Sequence, residues 1–122
     1  MAGSELVVQT IEDATVVNFR QRAIIESAKI EAIAQDLYAI VDEKASRKLV
    51  LDFTGVQYLS SQALGIFITL KKKADEIKGQ VAICGLKNEL RQLFKIMKLE
   101  KIFPFFADEQ EALAHFNVFR AT

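Results

Sequence analysis

The sequence predicts an α/β domain: one mixed, mostly parallel sheet of about four to five strands with about four helices packed on it. Three observations carry this. Short β-branched runs at 6–11, 15–19, 49–53 and 80–84 alternate with longer stretches whose apolar residues recur at helical spacing. Strands separated by helical crossovers pair in parallel, because a parallel connection needs a dozen or more residues. No linker, internal repeat or low-complexity segment interrupts the alternation, so residues 1–122 read as a single domain. At 122 residues and 51% hydrophobic content the chain has enough material for a sizeable core.

The elements follow in order. Leu6-Val-Val-Gln-Thr-Ile11 and Thr15-Val-Val-Asn-Phe19 flank Glu12-Asp-Ala14 and read as a hairpin. Ser27 is the expected cap of the first helix, where Ile30, Ile33, Ala34, Leu37, Ile40 and Val41 share one face and Glu31, Gln35, Asp36 and Glu43 lie on others. That helix is expected to end near Ala45. The run 49–53, whose only charge is Asp52, is short and branched enough to be a buried strand. Thr54-Gly55 signals a turn, and the stretch from Ala63 to Lys78 reads as the central helix, stopped by Gly79. Gln80 to Cys84 is the next strand, ended by Gly85. A third helix starts at Asn88 or a neighbour, with Leu90, Leu93, Phe94 and Met97 at i, i+3, i+4 and i+7. Phe103-Pro-Phe-Phe106 is a short strand, and Pro104, lacking an N–H, places it at a sheet edge. Asp108 and Glu111 form a capping-box-like start to a last helix carrying Ala112, Leu113 and Phe116.

Composition excludes several function classes. Sixteen basic and sixteen acidic residues cancel, and the basic run is no longer than Lys71-Lys-Lys73, so no positive face points to nucleic acid. Cys84 stands alone, which excludes a disulfide framework, fits a reducing compartment and reads as a small buried strand residue. One Cys and one His cannot make a structural zinc site. Gly55 and Gly65 match neither dinucleotide-binding nor P-loop spacing, so no metal or cofactor is expected. The opening residues 1–5 have neither a basic nor an apolar leader region, and no apolar run is long enough to span a bilayer. The expectation is a cytoplasmic protein without direct membrane insertion.

The junction between the central strand and the central helix carries the chemistry. Tyr58-Leu-Ser-Ser61 brings two hydroxyls to a helix N-terminus, where serine ordinarily serves as a cap. A nucleophilic serine would need a general base and an oxyanion hole. The single histidine, His115, lies in the last helix, and Gly-x-Ser-x-Gly is absent, so catalysis is not expected. Asp52, charged within an apolar strand, reads as a hydrogen-bonding partner for the adjacent turn.

The pattern Leu-Val-Leu-Asp-Phe-Thr-Gly-Val-Gln-Tyr-Leu-Ser-Ser-Gln-Ala-Leu-Gly, residues 49–65, resembles the central motif of STAS domains, the family named for sulphate transporters and anti-sigma factor antagonists. Lys98-Leu-Glu-Lys-Ile-Phe-Pro-Phe-Phe106 is similar to the segment that precedes the last strand in that family, so the resemblance covers nearly the whole chain. Two positions depart from the pattern: Ser60 stands where relatives often carry Asp, and Ala63 where they often carry Gly. The resemblance implies an anti-sigma factor antagonist that binds a serine-kinase anti-sigma factor and is switched off by phosphorylation at Ser61, with Ser60 as the alternative acceptor. It implies a partner face of Ser60, Ser61, Gln62, Lys87, Glu89, Gln92 and Lys95, with Glu26 as counterpart of an acidic residue common in relatives. Asp52 and Gly55 would shape the loop. The partner is then a protein, the chain itself a monomer or weak homo-oligomer, and sigma-factor-dependent transcription the process regulated. The other reading that the resemblance allows is a scaffold or regulatory subunit of a stress-signalling complex or of a lipid or anion transporter.

Overall fold

The computed structural model describes residues 6–119, so the opening residues 1–5, read above for a leader, lie outside it. Strands β1 (Leu6–Ile11) and β2 (Ala14–Phe19) pair antiparallel in register from Leu6↔Phe19 to Ile11↔Ala14. The turn between them is therefore Glu12-Asp13, with Glu12 in the left-handed region at φ 55°. A two-residue strand β3 (Ala23–Ile24) leads into helix α1 (Ser27–Asp42). Strand β4 (Lys48–Asp52) follows, then a second two-residue strand β5 (Tyr58–Leu59) and helix α2 (Ser61–Glu76). The chain continues through β6 (Gln80–Cys84), α3 (Asn88–Ile96), a 3-10 turn (Leu99–Lys101), β7 (Phe105–Phe106) and α4 (Glu109–His115).

The main sheet runs β1-β2-β4-β6-β7, and every pair beyond the first is parallel. β3 and β5 form a separate parallel pair. Alternation along the strands sorts the core into two faces. Val17, Leu49, Leu51, Val81 and Ile83 pack with α1, α2 and α3, whereas Ala14, Val16, Val50, Ala82 and Cys84 pack with Ala112, Leu113 and Phe116 at α4. Phe53 centres a ring cluster, with centroids 4.7 Å from Phe19, 5.2 Å from Phe67 and 6.2 Å from Phe94. Such pairs add about 0.5–1.5 kcal/mol each beyond area burial, and this cluster lies under the β4–α2 connection.

Several expectations need correction. Ser27 is not the cap of α1: it is the first helical residue, and Glu26 holds the cap position without a side-chain bond. α2 begins at Ser61, earlier than Ala63. The left-handed residue that ends α2 is Lys78 (φ 61°), not Gly79. Gly79 is required for another reason, since a Cβ there would lie 2.9 Å from the Arg47 Cα and carbonyl oxygen. Met97 is 44% exposed because α3 ends one residue before it. The capping box at α4 forms, with Glu111 N donating to Asp108 Oδ1 at 2.9 Å, but Glu111 reaches back to the Ala107 amide (3.1 Å).

Candidate functional site

The loop between β4 and α2 is held at both ends. At its start Asp52, 7% exposed, accepts from Thr54 N (2.9 Å) and Thr54 Oγ1 (2.5 Å) on one oxygen and from Asn18 Nδ2 (3.0 Å) on the other. Lys87 Nζ donates to the Thr54 carbonyl at 2.9 Å. Burial pushes the Asp52 carboxyl up, but hydrogen bonds with Glu109, Thr54 and Asn18 outweigh it and hold the group below the ordinary carboxylate range. At the other end the backbone hangs on β3, with Tyr58 N donating to Arg22 O (3.2 Å) and Ser60 N to Ile24 O (3.1 Å). Arg22 also bonds Gln57 through its side chain at 2.8 Å.

This frame sorts the two hydroxyls. Ser60 caps α2, its Oγ accepting from Ala63 N at 3.1 Å, as an N-cap serine does for the N3 amide. Ser61 is the first helical residue and is exposed, and its hydroxyl has no hydrogen-bond partner among the described residues. It stands at the positive end of a 16-residue helix.

Glu26 is nearby. The β3–β5 register runs Ala23↔Tyr58 and Ile24↔Leu59, and two residues further on come Glu26 and Ser61. One more step brings Ser27 and Gln62, whose side chains bond at 3.0 Å, so the two chains still run side by side. The Glu26 carboxylate is exposed, 3.9 Å from Lys29 Nζ.

The remaining expected partner residues fall into two places. Lys87 and Glu89 line a groove of about 620 Å³ with Ile25, Gln57, Tyr58, Leu59, Leu90 and Leu93. Ile25 (53%) and Tyr58 (57%) are exposed at its lip. Gln92 and Lys95 line a smaller depression of about 320 Å³ with Asn88, Arg91, Glu100 and Phe105. The structure thus gathers Glu26, Ser60, Ser61 and Gln62 at two adjoining helix starts, with Lys87 and Glu89 in the groove beside β5. It does not bring Gln92 and Lys95 into that groove.

Gly55, expected to shape the loop, has no positive φ, and a Cβ there would meet only the Phe19 carbonyl at an ordinary 3.9 Å. The glycine that the loop needs is Gly85, which sequence reasoning read as a strand end. Its φ is +74°, and a Cβ would stand 2.5 Å from Thr54 Oγ1 and 2.8 Å from Asp52 Oδ1. Ile25 and Tyr58 were also missed as surface features. Their signal was slight: Ile25 directly follows β3 and Tyr58 opens β5, and each stands beside a second apolar residue, Ile24 or Leu59, from which a two-residue strand cannot separate it.

Other candidates take structural places. His115 bonds Gln80 Oε1 through Nε2 at 3.0 Å, and its ring lies tilted against those of Phe106 and Phe116, with centroids 5.1 Å away in each case. Cys84 is wholly buried, and burial together with the nearby Asp52 and Glu109 charges pushes its thiol up. Among the described residues no His/Cys/Asp/Glu group is arranged to hold a metal, and no helix is long and apolar enough to cross a membrane.

The comparisons with known proteins agree with this architecture. The STAS domain family matches residues 5–112. The protein named "Putative anti-sigma factor antagonist BtrV" of Bordetella bronchiseptica is 32% identical over 96 residues, which are 79% of this chain and 82% of that one. An anti-sigma-factor antagonist STAS domain protein from Planctomyces limnophilus superposes with a TM-score of 0.83 at 21% identity, covering 93% of this chain and 98% of that one. The Bacillus cell fate determinant SpoIIAA in its phosphorylated form superposes with a TM-score of 0.72 at 13% identity, covering 91% and 98%.

Proposed function

The chain belongs to the STAS domain family, and from that premise we propose that it is an anti-sigma factor antagonist, released from a serine-kinase anti-sigma factor by phosphorylation of Ser61. The observation that carries the reading is the division of labour at α2: Ser60 is committed to the cap, which leaves the exposed Ser61 hydroxyl available for modification. The antagonist name of BtrV supports the class of partner, and the phosphorylated SpoIIAA structure supports a phosphate on this fold.

The physics favours release over unfolding. A phosphate adds about −1.5 to −2 charge. At a helix N-terminus that charge is mildly favourable to the domain, by about 0.3–1 kcal/mol. A partner docked over the same helix start must desolvate the phosphate or meet it with its own charge, at a cost of several kcal/mol, and each ~1.4 kcal/mol is tenfold in affinity. The second effect is the larger one. The groove beside β5, with Ile25 and Tyr58 exposed, supplies apolar surface for the docked state. The partner is thereby a protein, and the chain acts by binding rather than by catalysis.

Incubation with a serine-kinase anti-sigma factor and ATP, followed by mass mapping, tests this directly. The phosphate is expected on the peptide containing Ser61, and Ser61→Ala should abolish it while Ser60→Ala leaves it in place. A phosphate on Ser60 in the wild-type chain would overturn the assignment.

A further inference from the structure

The polar side chains beneath the loop reach further than the proposed switch requires. Asn18, Asp52 and Cys84 are register neighbours across β2, β4 and β6. Asn18 carries two amide hydrogens, and Nδ2 donates both to Asp52 Oδ2 at 3.0 Å and to Glu109 Oε2 at 2.8 Å. Glu109 is the first residue of α4, the helix on the sheet face opposite α1 and α2. The other Asp52 oxygen holds the amide and hydroxyl of Thr54, the first residue of the loop. A continuous path of hydrogen bonds therefore runs from α4 through Asn18 and Asp52 to the turn that begins the Ser61-bearing loop. The Asn18 amide serves both carboxyl groups, and an apolar substitute would leave each of them short of a donor.

We infer that Asn18 and Glu109 are positioning residues for the loop that presents Ser61, tying its first turn to α4. The inference rests on the reading of Ser61 as the modified and partner-facing residue. The loop has two independent supports. Its second half hangs on the carbonyls of Arg22 and Ile24, and its first half on Asp52, with Lys87 on the Thr54 carbonyl. Weakening the Asp52 support leaves the sheet and α2 in place but lets residues 54–56 sample positions that the partner does not accept, while Gln57 stays on the Arg22 carbonyl. When only a fraction of molecules is competent, apparent affinity falls by that fraction while the chemistry of the competent ones is unchanged. A loosened loop should therefore raise the kinase KM and spare kcat.

The test is native-state hydrogen exchange on the full chain, comparing wild type with Asn18→Ala, Glu109→Ala and Glu109→Gln, the last of which keeps an acceptor for Asn18. The alanine variants should exchange at Thr54 and Val56 on the order of tenfold faster, the scale of one lost charged hydrogen bond. The α1 amides should follow global stability only, and Glu109→Gln should stay within about twofold of wild type. If Asn18→Ala fails to fold, the Glu109 pair carries the test. No acceleration at Thr54, uniform acceleration along the chain, or Glu109→Gln behaving as Glu109→Ala would overturn the tie. A second arm measures Ser61 phosphorylation by a purified serine-kinase anti-sigma factor with ATP. Glu109→Ala should raise KM on the order of tenfold at unchanged kcat, and an unchanged KM in a variant with a loosened loop overturns the positioning role. Absence of phosphate on the wild-type chain would instead count against the Ser61 reading, with the exchange result still deciding the tie.

Discussion

Helices α1 and α2 begin side by side, each 16 residues long, each following one strand of the β3–β5 pair and each with serine as its first helical residue. They differ in what those serines can do. At α1 the preceding residue is Glu26, which caps nothing with its side chain, and the Ser27 hydroxyl donates to Gln62 of the neighbouring helix. At α2 the preceding residue is Ser60, which performs the cap, and the Ser61 hydroxyl meets no hydrogen-bond partner among the described residues. The loop before α2 is anchored by Asp52 and Lys87. The contrast shows that a helix start can be stabilised by one residue and left chemically open at the next, and that a second serine is what makes this possible.

The largest effect that sharpens the contrast is on partner binding. Ser61→Asp should weaken binding of the anti-sigma factor by about two orders of magnitude, roughly 3 kcal/mol, whereas Ser27→Asp should cost less than about tenfold. Titration calorimetry with both variants checks it. Equal losses would mean that the two helix starts are equivalent to the partner and that the phosphate needs no particular hydroxyl.

A smaller effect appears in stability. Ser60→Ala removes the cap of α2 and should cost about 1 kcal/mol in urea unfolding, within the ~0.5–2 kcal/mol range for cap losses. Ser61→Ala, which breaks no bond, should stay within about ±0.5 kcal/mol. Ser27→Ala should fall between, because an exposed side-chain bond between neighbouring helices contributes about 0.5 kcal/mol or less. If Ser61→Ala proved the costlier of the α2 pair, the assignment of cap and free hydroxyl would be reversed.

Much of the frame around these helix starts was legible in the sequence, and the reasons it stopped there are physical. The six apolar positions read at helical spacing in α1, Ile30, Ile33, Ala34, Leu37, Ile40 and Val41, are the ones buried, because burial of one face is what the period encodes. The same reasoning placed Leu90 and Phe94 in the core but overran the end of α3 at Met97, since a period carries no information about where hydrogen bonding ceases. β3 and β5 escaped notice because two residues cannot display an alternation. They exist through backbone bonds to Arg22 and Ile24 that depend on the tertiary fold. The choice between Ser60 and Ser61 stayed open for a related reason: both are good cap residues, and only the chain direction decides which oxygen faces the Ala63 amide. Gly85 was read as a terminator, while its need arises from the Thr54 and Asp52 side chains of another strand's end.

The smallest effect concerns pH, and it belongs to the α2 side alone. The Asp52 carboxyl is held below its unfolded value because hydrogen bonds with Glu109, Thr54 and Asn18 outweigh the upward push of burial. A group depressed in the folded state contributes stability that is complete above its unfolded value of 3.8 and is lost as pH falls through the lower folded value. The window is therefore acidic, and at neutral pH the loop anchor is at full strength. The α1 start has no such anchor, since Glu26 stands in water near Lys29. Asp52→Asn should destabilise the protein near pH 7, and the difference from wild type should shrink as both are unfolded at progressively lower pH below 3.8. Protection of the Thr54 amide, taken relative to its intrinsic exchange rate at each pH, should follow the same course, falling in wild type through the acidic window, because the charge that draws Thr54 onto Asp52 disappears there. A stability difference that stayed constant from pH 7 to the acid limit would show that Asp52 holds the loop by shape and not by charge. The chemical difference between the two helix starts would then reduce to the Ser60 cap.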